Sequence, residues 1–208
     1  MTARTRTEQE EFWAGDFGDE YIDRNRADSL VESNLQLFQK ALGRAEPIAS
    51  VMELGANIGL NLRALRRLLP VARLTGVEIN ARAVAELRKT EGIEAIHGSI
   101  HDLQPDRQFD LTFTKTVLIH INPELLPQVY ETLHRAARRY VMLVEYYNPR
   151  PVEVAYRGHQ QRLFKRDFAG EMLDRFSDLR LADYGFWYHR DRYFQDDVTW
   201  FLLEKART

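Results

Sequence analysis

One short stretch constrains the fold more than any other part of the chain. Residues 51–59 read Val-Met-Glu-Leu-Gly-Ala-Asn-Ile-Gly, an apolar run that leads into a turn marked by two glycines. A second apolar run, residues 74–77, ends in Glu78. A strand, a glycine turn, a helix and a second strand ending in an acid are typical of a doubly wound α/β domain that binds a nucleoside. In such domains the glycines let the backbone approach the ligand, and the acid binds the ribose hydroxyls.

The glycine spacing argues against two common ligands. A dinucleotide loop reads G-x-G-x-x-G, whereas this chain has Asn57 at the middle glycine and Leu60 at the third. The second glycine of this loop is followed by Leu60-Asn61 and not by a Lys-Ser or Lys-Thr pair that could hold phosphates, so the loop is not a P-loop. The pattern Glu53-x-Gly55-x-Asn57-x-Gly59 instead resembles the first motif of class I S-adenosylmethionine-dependent methyltransferases.

That resemblance implies a set of cofactor-binding residues at one edge of a sheet. Right-handed crossovers place the carboxyl ends of parallel strands on the same edge. Ser99 and Ile100 match the place where this superfamily reads the adenine, and an ordinary surface turn is the alternative. The cofactor-binding residues expected within this domain are Glu53, Gly55, Asn57, Gly59, Glu78, Ile79, Ser99, Ile100 and Lys115.

Apolar periodicity predicts strands and helices in alternation. Strands are expected at 50–54, 73–78, 94–97, 109–114 and 140–145, and helices at 28–43, 60–69, 81–89, 123–137 and 167–176. Two further strands, at 179–189 and 198–204, are expected to form an antiparallel hairpin. This order predicts an α/β, Rossmann-like class I methyltransferase fold, with a doubly wound, mostly parallel sheet and an antiparallel C-terminal hairpin. We expect a lid or helical arm over residues 1–45 and a cofactor-binding domain over 46–208, with an acceptor-binding insert at about 146–170.

Composition narrows the classes of partner. The 208 residues are 44% hydrophobic, enough for one large core, and the net charge of −2 gives no electrostatic case for nucleic acid. The chain has no cysteine, and His97, His101 and His159 lack ligand spacing, so no metal is expected. No run approaches the roughly 18 apolar residues of a membrane span. We therefore predict a soluble, cytoplasmic monomer or homodimer that acts on a small molecule.

Candidate catalytic residues are His120, Glu145 and Tyr146, which follow the strands at 109–114 and 140–145. Methyl transfer is an in-line displacement, and a base is needed only if the acceptor is protonated or weakly nucleophilic. His120 is therefore either a base or acceptor-orienting group, or a packed structural histidine. Glu145 either receives an acceptor proton or neutralises an acceptor cation, or it pairs with an arginine.

A narrower resemblance covers nearly the whole chain. The segments that carry it are residues 11–25, 117–123, 145–171, 183–186 and 196–200. They look like the methylases found with pseudaminic acid biosynthesis. The resemblance implies a small-molecule acceptor, sugar-related or containing an amine or guanidine.

Aromatic residues in the N-terminal arm and the insert complete the expected site. Rings at positions 12, 13, 17 and 21 suit an arm laid over the cofactor, although ordinary core packing is the alternative. Trp13 is expected to contact the cofactor because aromatic faces attract a sulfonium, and Arg24 to bind its methionine carboxylate. The residues expected to bind the acceptor are Tyr21, Tyr147, Tyr156, Arg157 and His159.

These observations favour a methyltransferase that uses S-adenosylmethionine to methylate an oxygen or nitrogen of a small polar metabolite. A nucleic-acid methyltransferase of the same fold would need a basic face. A nucleotide-dependent dehydrogenase would need a glycine at position 60. A non-catalytic, cofactor-binding partner protein would usually have lost Gly55, Gly59 or Glu78, and all three are present.

Overall fold

The computed structural model describes residues 4–24 and 28–206. Its strands are β1 (Ser50–Leu54), β2 (Arg73–Glu78), β3 (Ile93–His97), β4 (Phe109–Lys115), β5 (Ala137–Glu145), β6 (Val152–Tyr156), β7 (His159–Lys165), β8 (Leu179–Trp187) and β9 (Val198–Lys205). Its α-helices are α1 (Glu8–Ala14), α2 (Asp16–Arg24), α3 (Asp28–Ala41), α4 (Leu60–Leu68), α5 (Ala81–Leu87), α6 (Leu126–Ala136) and α7 (Phe168–Arg175). Within these residues no helix is both long enough and apolar enough to cross a membrane.

Seven strands form one sheet in the order β3-β2-β1-β4-β5-β9-β8. Strands β1 to β5 run parallel, and β9 pairs antiparallel with both β5 and β8. Strands β2 and β3 follow β1 on one side of it, whereas β4 and β5 lie on the other side, so the strand order reverses between β1 and β4. In open α/β sheets, ligands bind at such a point, outside the carboxyl ends of the strands. The predicted fold, including the antiparallel C-terminal hairpin, is confirmed.

Helices cover both faces of the sheet, which explains why β1 is buried along its whole length. Alternate residues of β1 enter different clusters: Val51 packs with α3 and α4, and Met52 packs with α6. This two-residue alternation follows from the pleat of a strand. Because both layers are packed, the carboxyl edge of the sheet is the place where loops leave room for a ligand.

Helix α3 belongs to the core, which corrects the predicted arm of residues 1–45. Leu37, Phe38 and Ala41 are fully buried, and the Phe38 ring lies 5.4 Å from that of Phe113 on β4. Helices α1 and α2 lie over the carboxyl edge. The last residue of the N-terminal segment that carries the narrower resemblance, Asn25, lies outside the described residues.

Strands β6 and β7 form a separate antiparallel hairpin inside the expected insert at 146–170. The hairpin packs against the N-terminal helices: the ring of His159 lies 5.1 Å from that of Phe12, and Tyr156 lies 6.0 Å from Phe17. In addition, the side-chain amide of Gln9 donates to the carbonyl of Gln161 at 3.3 Å. Helices α1 and α2 and this hairpin therefore form one cover, which we call the lid.

Candidate functional site

A cavity of about 330 Å³ lies at the carboxyl edge of the sheet, beneath the lid. Its walls come from the loops after β1, β2, β3 and β4, from helices α1 to α3, and from the loop between β8 and β9. The predicted site residues that line it are Trp13, Tyr21, Gly55, Asn57, Glu78, Ile79, Ser99, Ile100, Lys115 and His120. Residues distant in the sequence therefore meet where the reversal in strand order predicts a ligand site.

The glycine loop is folded back onto β2. The backbone N–H groups of Gly55 and Ala56 both donate to the carbonyl of Val77, at 2.8 and 3.0 Å. Gly55 has φ of 78°, and a Cβ there would lie 2.5 Å from a methyl carbon of Val117. Gly59 has φ of 84° and begins α4 as its N-cap, so its role is to make the turn. Both glycines are required by backbone geometry.

Glu78 connects three parts of the cavity wall. One carboxylate oxygen accepts from the backbone N–H of Asn57 at 2.8 Å, and the other accepts from the backbone N–H of Asn80 at 2.7 Å. Asn80 is the N-cap of α5. Burial raises the pKa of Glu78, while these backbone hydrogen bonds act in the opposite direction. The carboxylate is thus held rigidly at the end of β2, in the position expected for binding ribose hydroxyls.

Glu53 and Lys115 place two more ionisable groups close to the loop. Glu53 is fully buried and lies behind the cavity wall; its Oε1 accepts from the side-chain amide of Asn61 at 2.6 Å, and its Oε2 has no hydrogen-bond partner. Burial raises the pKa of Glu53 to about 8, so this carboxyl is mostly protonated at neutral pH. Lys115 lines the cavity, and burial lowers its pKa, against the attraction of Asp196 and Glu53.

The loop after β3 is tied to the N-terminal arm through Glu10, which the sequence did not reveal. Ser99 donates its hydroxyl hydrogen to the Glu10 carboxylate, and Arg4 donates to the same carboxylate at 2.6 and 2.9 Å. Arg4 also pairs with Asp102 at 3.2 Å. Burial raises the pKa of Glu10, but the hydrogen bonds from Arg4 and Ser99 outweigh it and bring the pKa to about 2. An ionised Glu10 therefore fastens α1 to the cavity wall.

His120 ends a single 3₁₀ turn, Leu118–His120, that follows β4. Its Nδ1 lies 2.6 Å from the carbonyl oxygen of Arg162 on β7. A carbonyl can only accept, so Nδ1 carries the hydrogen and Nε2 keeps a free lone pair. Burial lowers the pKa of His120 to about 4, so the ring is neutral at pH 7. The rings of Trp13 and Tyr156 lie 4.7 and 4.9 Å from the imidazole.

Glu145 holds the turn that carries His120, which corrects its predicted catalytic role. Its carboxylate accepts from the hydroxyl of Thr114 and from the backbone N–H groups of residues 117–119, at 3.0–3.5 Å. Glu145 is 3% exposed and is not among the described residues that line the cavity. It forms no arginine pair in the described chain either. The carboxylate is occupied by the turn and is not available to an acceptor.

Tyr146, the third predicted catalytic residue, also lies behind the cavity wall. Its hydroxyl donates to Asp196 at 2.7 Å, and Asp196 itself lines the cavity. Burial raises the pKa of Tyr146, and the hydrogen bond to Asp196 adds to this effect. Tyr146 thus positions a carboxylate and is not itself placed to contact a ligand.

Arg24 and Tyr147 do not lie where the sequence analysis expected them. Arg24 is exposed and pairs with Glu20 at 3.3 Å, one helical turn earlier. Tyr147 is 42% exposed, and its ring lies 5.9 Å from that of Phe201 on β9. Neither belongs to the described cavity wall. The predictions that Arg24 binds the cofactor carboxylate and Tyr147 the acceptor are not supported by these positions.

The three expected acceptor-binding residues of the hairpin belong to the lid. Tyr156 and His159 pack their rings on α1, α2 and His120. Arg157 occupies the hairpin turn with φ of 49° and places its guanidinium 5.8 Å from the Tyr156 ring centre. None of the three is part of the cavity wall among the described residues. Their described contacts are those of a cover that closes over His120.

Sequence reasoning missed the opposite end of the cavity. It is lined by Phe194, Gln195 and Asp196 of the β8–β9 loop, by Val198 at the start of β9, and by Leu30 and Asn34 of α3. No periodic pattern marks this loop. The only signal was that Asp196 and Val198 lie in one of the segments of the narrower resemblance.

A comparison with protein-family models identifies the central part of the chain. Residues 51–139, which hold the glycine loop, Glu78 and His120, match the methyltransferase domain family. The match confirms the prediction of a methyltransferase enzyme. The solved structures described next include methyltransferases with S-adenosylmethionine or S-adenosylhomocysteine bound, in agreement with the predicted cofactor. A search of curated proteins gives no significant match.

Solved structures confirm the fold over nearly the whole methyltransferase chain. The 1,6-didemethyltoxoflavin-N1-methyltransferase of Burkholderia thailandensis matches with a TM-score of 0.70 at 15% identity, covering 100% of this chain and 94% of that one. The magnesium protoporphyrin IX methyltransferase of Synechocystis PCC 6803 matches with 0.69 at 14% identity, covering 98% and 100%. The plantazolicin methyltransferase BpumL matches with 0.66 at 12% identity, covering 95% of each chain. At these identities the similarity is one of fold.

Proposed function

We propose that the protein transfers a methyl group from S-adenosylmethionine to an oxygen or nitrogen of a small polar metabolite. The observation that carries the proposal is the geometry of Glu78, a buried carboxylate joined to the glycine loop at the point where strand order reverses. The three structural neighbours reported above are named as methyltransferases of 1,6-didemethyltoxoflavin, magnesium protoporphyrin IX and plantazolicin. A small-molecule acceptor, sugar-related or containing an amine or guanidine, agrees with the narrower sequence resemblance.

The residues at the carboxyl edge suit this cofactor. Glu78 would bind the ribose hydroxyls, and Ile79 and Ile100 would enclose the adenine between apolar side chains. Lys115 would bind the methionine carboxylate, because it is a cation on the cavity wall with no ion pair among the described residues. Trp13 and Tyr21 present aromatic rings to the cavity. When bound, S-adenosylmethionine supplies an electrophilic methyl group on a sulfonium.

His120 is proposed as the base that takes the acceptor proton. Its Nδ1 hydrogen is committed to the carbonyl of Arg162, so the lone pair on Nε2 is free to accept a proton from an O–H or N–H group. Glu145 fixes the turn beneath it, and Trp13 and Tyr156 cover it against water. His120 would thus be a positioned, neutral base within a dry lid.

Calorimetric titration tests the cofactor. We expect S-adenosylmethionine and S-adenosylhomocysteine to bind the wild type and NAD not to bind. Glu78→Ala should weaken S-adenosylhomocysteine binding by about 100-fold, because two hydrogen bonds to a buried charged group and the shape of the loop are lost. Glu94→Ala is the matched control, since that acid lies on the neighbouring strand and pairs outward with Arg107. Equal binding to the Glu78→Ala and wild-type proteins would refute the assignment.

A further inference from the structure

The end of the cavity beside the β8–β9 loop, which we call the loop end, lies far from Glu78. Glu78 stands at the end of β2, whereas Asp196 precedes β9, four positions further along the sheet. At the usual spacing between neighbouring strands, this separation is about 19 Å. The loop end is therefore distinct from the nucleoside-binding part of the same cavity.

Two residues of the β8–β9 loop that carry hydrogen-bond acceptors, Gln195 and Asp196, line this end. Asp196 is exposed at the mouth of the cavity, and one of its carboxylate oxygens accepts from the hydroxyl of Tyr146. Gln195 is 4% exposed and donates its side-chain amide to the carbonyl of Ser33 at 2.8 Å, which leaves its Oε1 without a partner. A buried acceptor without a donor is costly, so a ligand that brings an N–H or O–H donor is favoured there.

Aromatic rings form the neighbouring wall. Trp13 and Tyr21 both line the cavity, with ring centroids 5.2 Å apart and planes at 86°. Asp196 interacts electrostatically with both Tyr21 and Lys115, so these groups lie within range of one carboxylate. A carboxylate next to aromatic rings favours a cation with N–H donors over a neutral alcohol or an anion.

We propose that the loop end is the acceptor subsite and that it binds the protonated amino group of a small amine, with Asp196 as the anchoring carboxylate. The inference rests on the proposed methyltransferase function and specifies its substrate class. Gln195 provides a second acceptor, and Tyr146 holds Asp196 in place.

Binding to the full-length protein saturated with S-adenosylhomocysteine tests this proposal. The probes are glucosamine, ethanolamine and 2-phenylethylamine, each compared by calorimetry with its neutral counterpart: glucose, ethylene glycol and 2-phenylethanol. At least one amine should bind about fivefold or more tightly than its neutral counterpart, the size expected for an ion pair at an exposed mouth. Asp196→Asn should remove this preference, because the amide still accepts from Tyr146 but carries no charge.

Asp197→Asn is the matched control, since Asp197 is exposed and pairs with His189 outside the cavity. It should keep the preference for the amine. If S-adenosylhomocysteine binds but no amine binds better than its neutral counterpart, or if both variants behave alike, the acceptor subsite is refuted while the proposed function stands. If S-adenosylhomocysteine itself does not bind, the proposed function fails and the subsite fails with it.

Discussion

The two ends of the cavity are built in different ways. The nucleoside end is made by loops that directly follow parallel strands, and its polar groups are tied to backbone N–H groups, as Glu78 is to Asn57 and Asn80. The loop end is made by the β8–β9 loop and α3, which are more than 150 residues apart in sequence. The fold therefore determines the shape of the nucleoside end. The loop end depends instead on side chains that can vary without a change of fold.

The largest expected effect concerns His120, which lies between the two ends. His120→Gln should lower kcat for methyl transfer by about 100-fold or more, the usual contribution of a positioned base. Affinity for S-adenosylhomocysteine should stay within about twofold. His189→Gln, an exposed histidine outside the cavity, serves as the control in the same radiometric assay. Unchanged kcat in His120→Gln would assign this histidine to packing alone.

The pH dependence of the wild type sharpens the same prediction. The pKa of His120 is lowered to about 4, so the base is already unprotonated at pH 6, and a rate limited by His120 should be level between pH 6 and 8. The unfolded chain takes up this proton near pH 6.5. Between pH 6.5 and 4 the unfolded state thus binds more protons at His120, so the contribution of this residue to the free energy of unfolding should fall with falling pH, as a comparison of the wild type with His120→Gln would measure. A rate that rises tenfold from pH 6 to 7 would contradict the assignment.

Glu145→Gln separates a structural role from a catalytic one. The amide keeps one acceptor oxygen but turns an N–H₂ group toward backbone donors, so the free energy of unfolding should fall by about 2 kcal/mol. Denaturant titration measures this loss. Glu153→Gln, on the exposed face of the hairpin, should cost under about 0.5 kcal/mol. A Glu145→Gln protein of full stability that has lost kcat would restore the catalytic interpretation.

A smaller effect is expected when the attachment of α1 to the loop after β3 is weakened. Glu10→Gln removes the charge that binds Arg4 and Ser99, so protease cleavage of the N-terminal arm should become about fivefold faster. Glu11→Gln, on an exposed position of the same helix, should leave the rate unchanged. Because the pKa of Glu10 is lowered to about 2, the contribution is complete above about pH 4.5 and is lost as pH falls toward 2. Equal cleavage of both variants would mean that other contacts hold the arm.

The smallest effect is expected at Tyr147, where sequence and structure disagree. Tyr147→Ala should change kcat/KM for the acceptor by less than about twofold, because the side chain is exposed, packs against Phe201 and is not part of the described cavity wall. Asp196→Asn should change kcat/KM for the acceptor by a larger factor than Tyr147→Ala does. The opposite order would show that the acceptor binds at the insert and not at the loop end.

The sequence predicted the fold well because its signals are local. The strand before Gly55, the helix after Gly59 and the acid at the end of the next strand lie within 28 residues, at spacings that the backbone geometry requires. The strands β1 to β5 were placed by apolar runs, which buried parallel strands need. The β6–β7 hairpin was missed because its second strand begins with exposed polar residues, 159–161, and shows no alternation.

The acceptor side was predicted less well because its signals are not local. Tyr156 and His159 looked like ligand-binding residues in a polar, aromatic segment, but the same composition suits rings that pack on the lid. Glu145 stands at the end of a central strand, as a catalytic acid would, yet backbone N–H groups of the next turn occupy it. Only the folded chain shows which partner satisfies a buried carboxylate.

The turn held by Glu145 has a consequence for how such a protein could change its substrate over evolution. The turn fixes His120 from below, through contacts within β4 and β5, without help from the β8–β9 loop. Substitutions at Phe194, Gln195 or Asp196 can therefore alter which molecule binds, while His120, the proposed proton acceptor, keeps its position. The proposed base and the proposed acceptor subsite can therefore be mutated independently of each other. A library of substitutions confined to the β8–β9 loop is the most direct way to search for new acceptors.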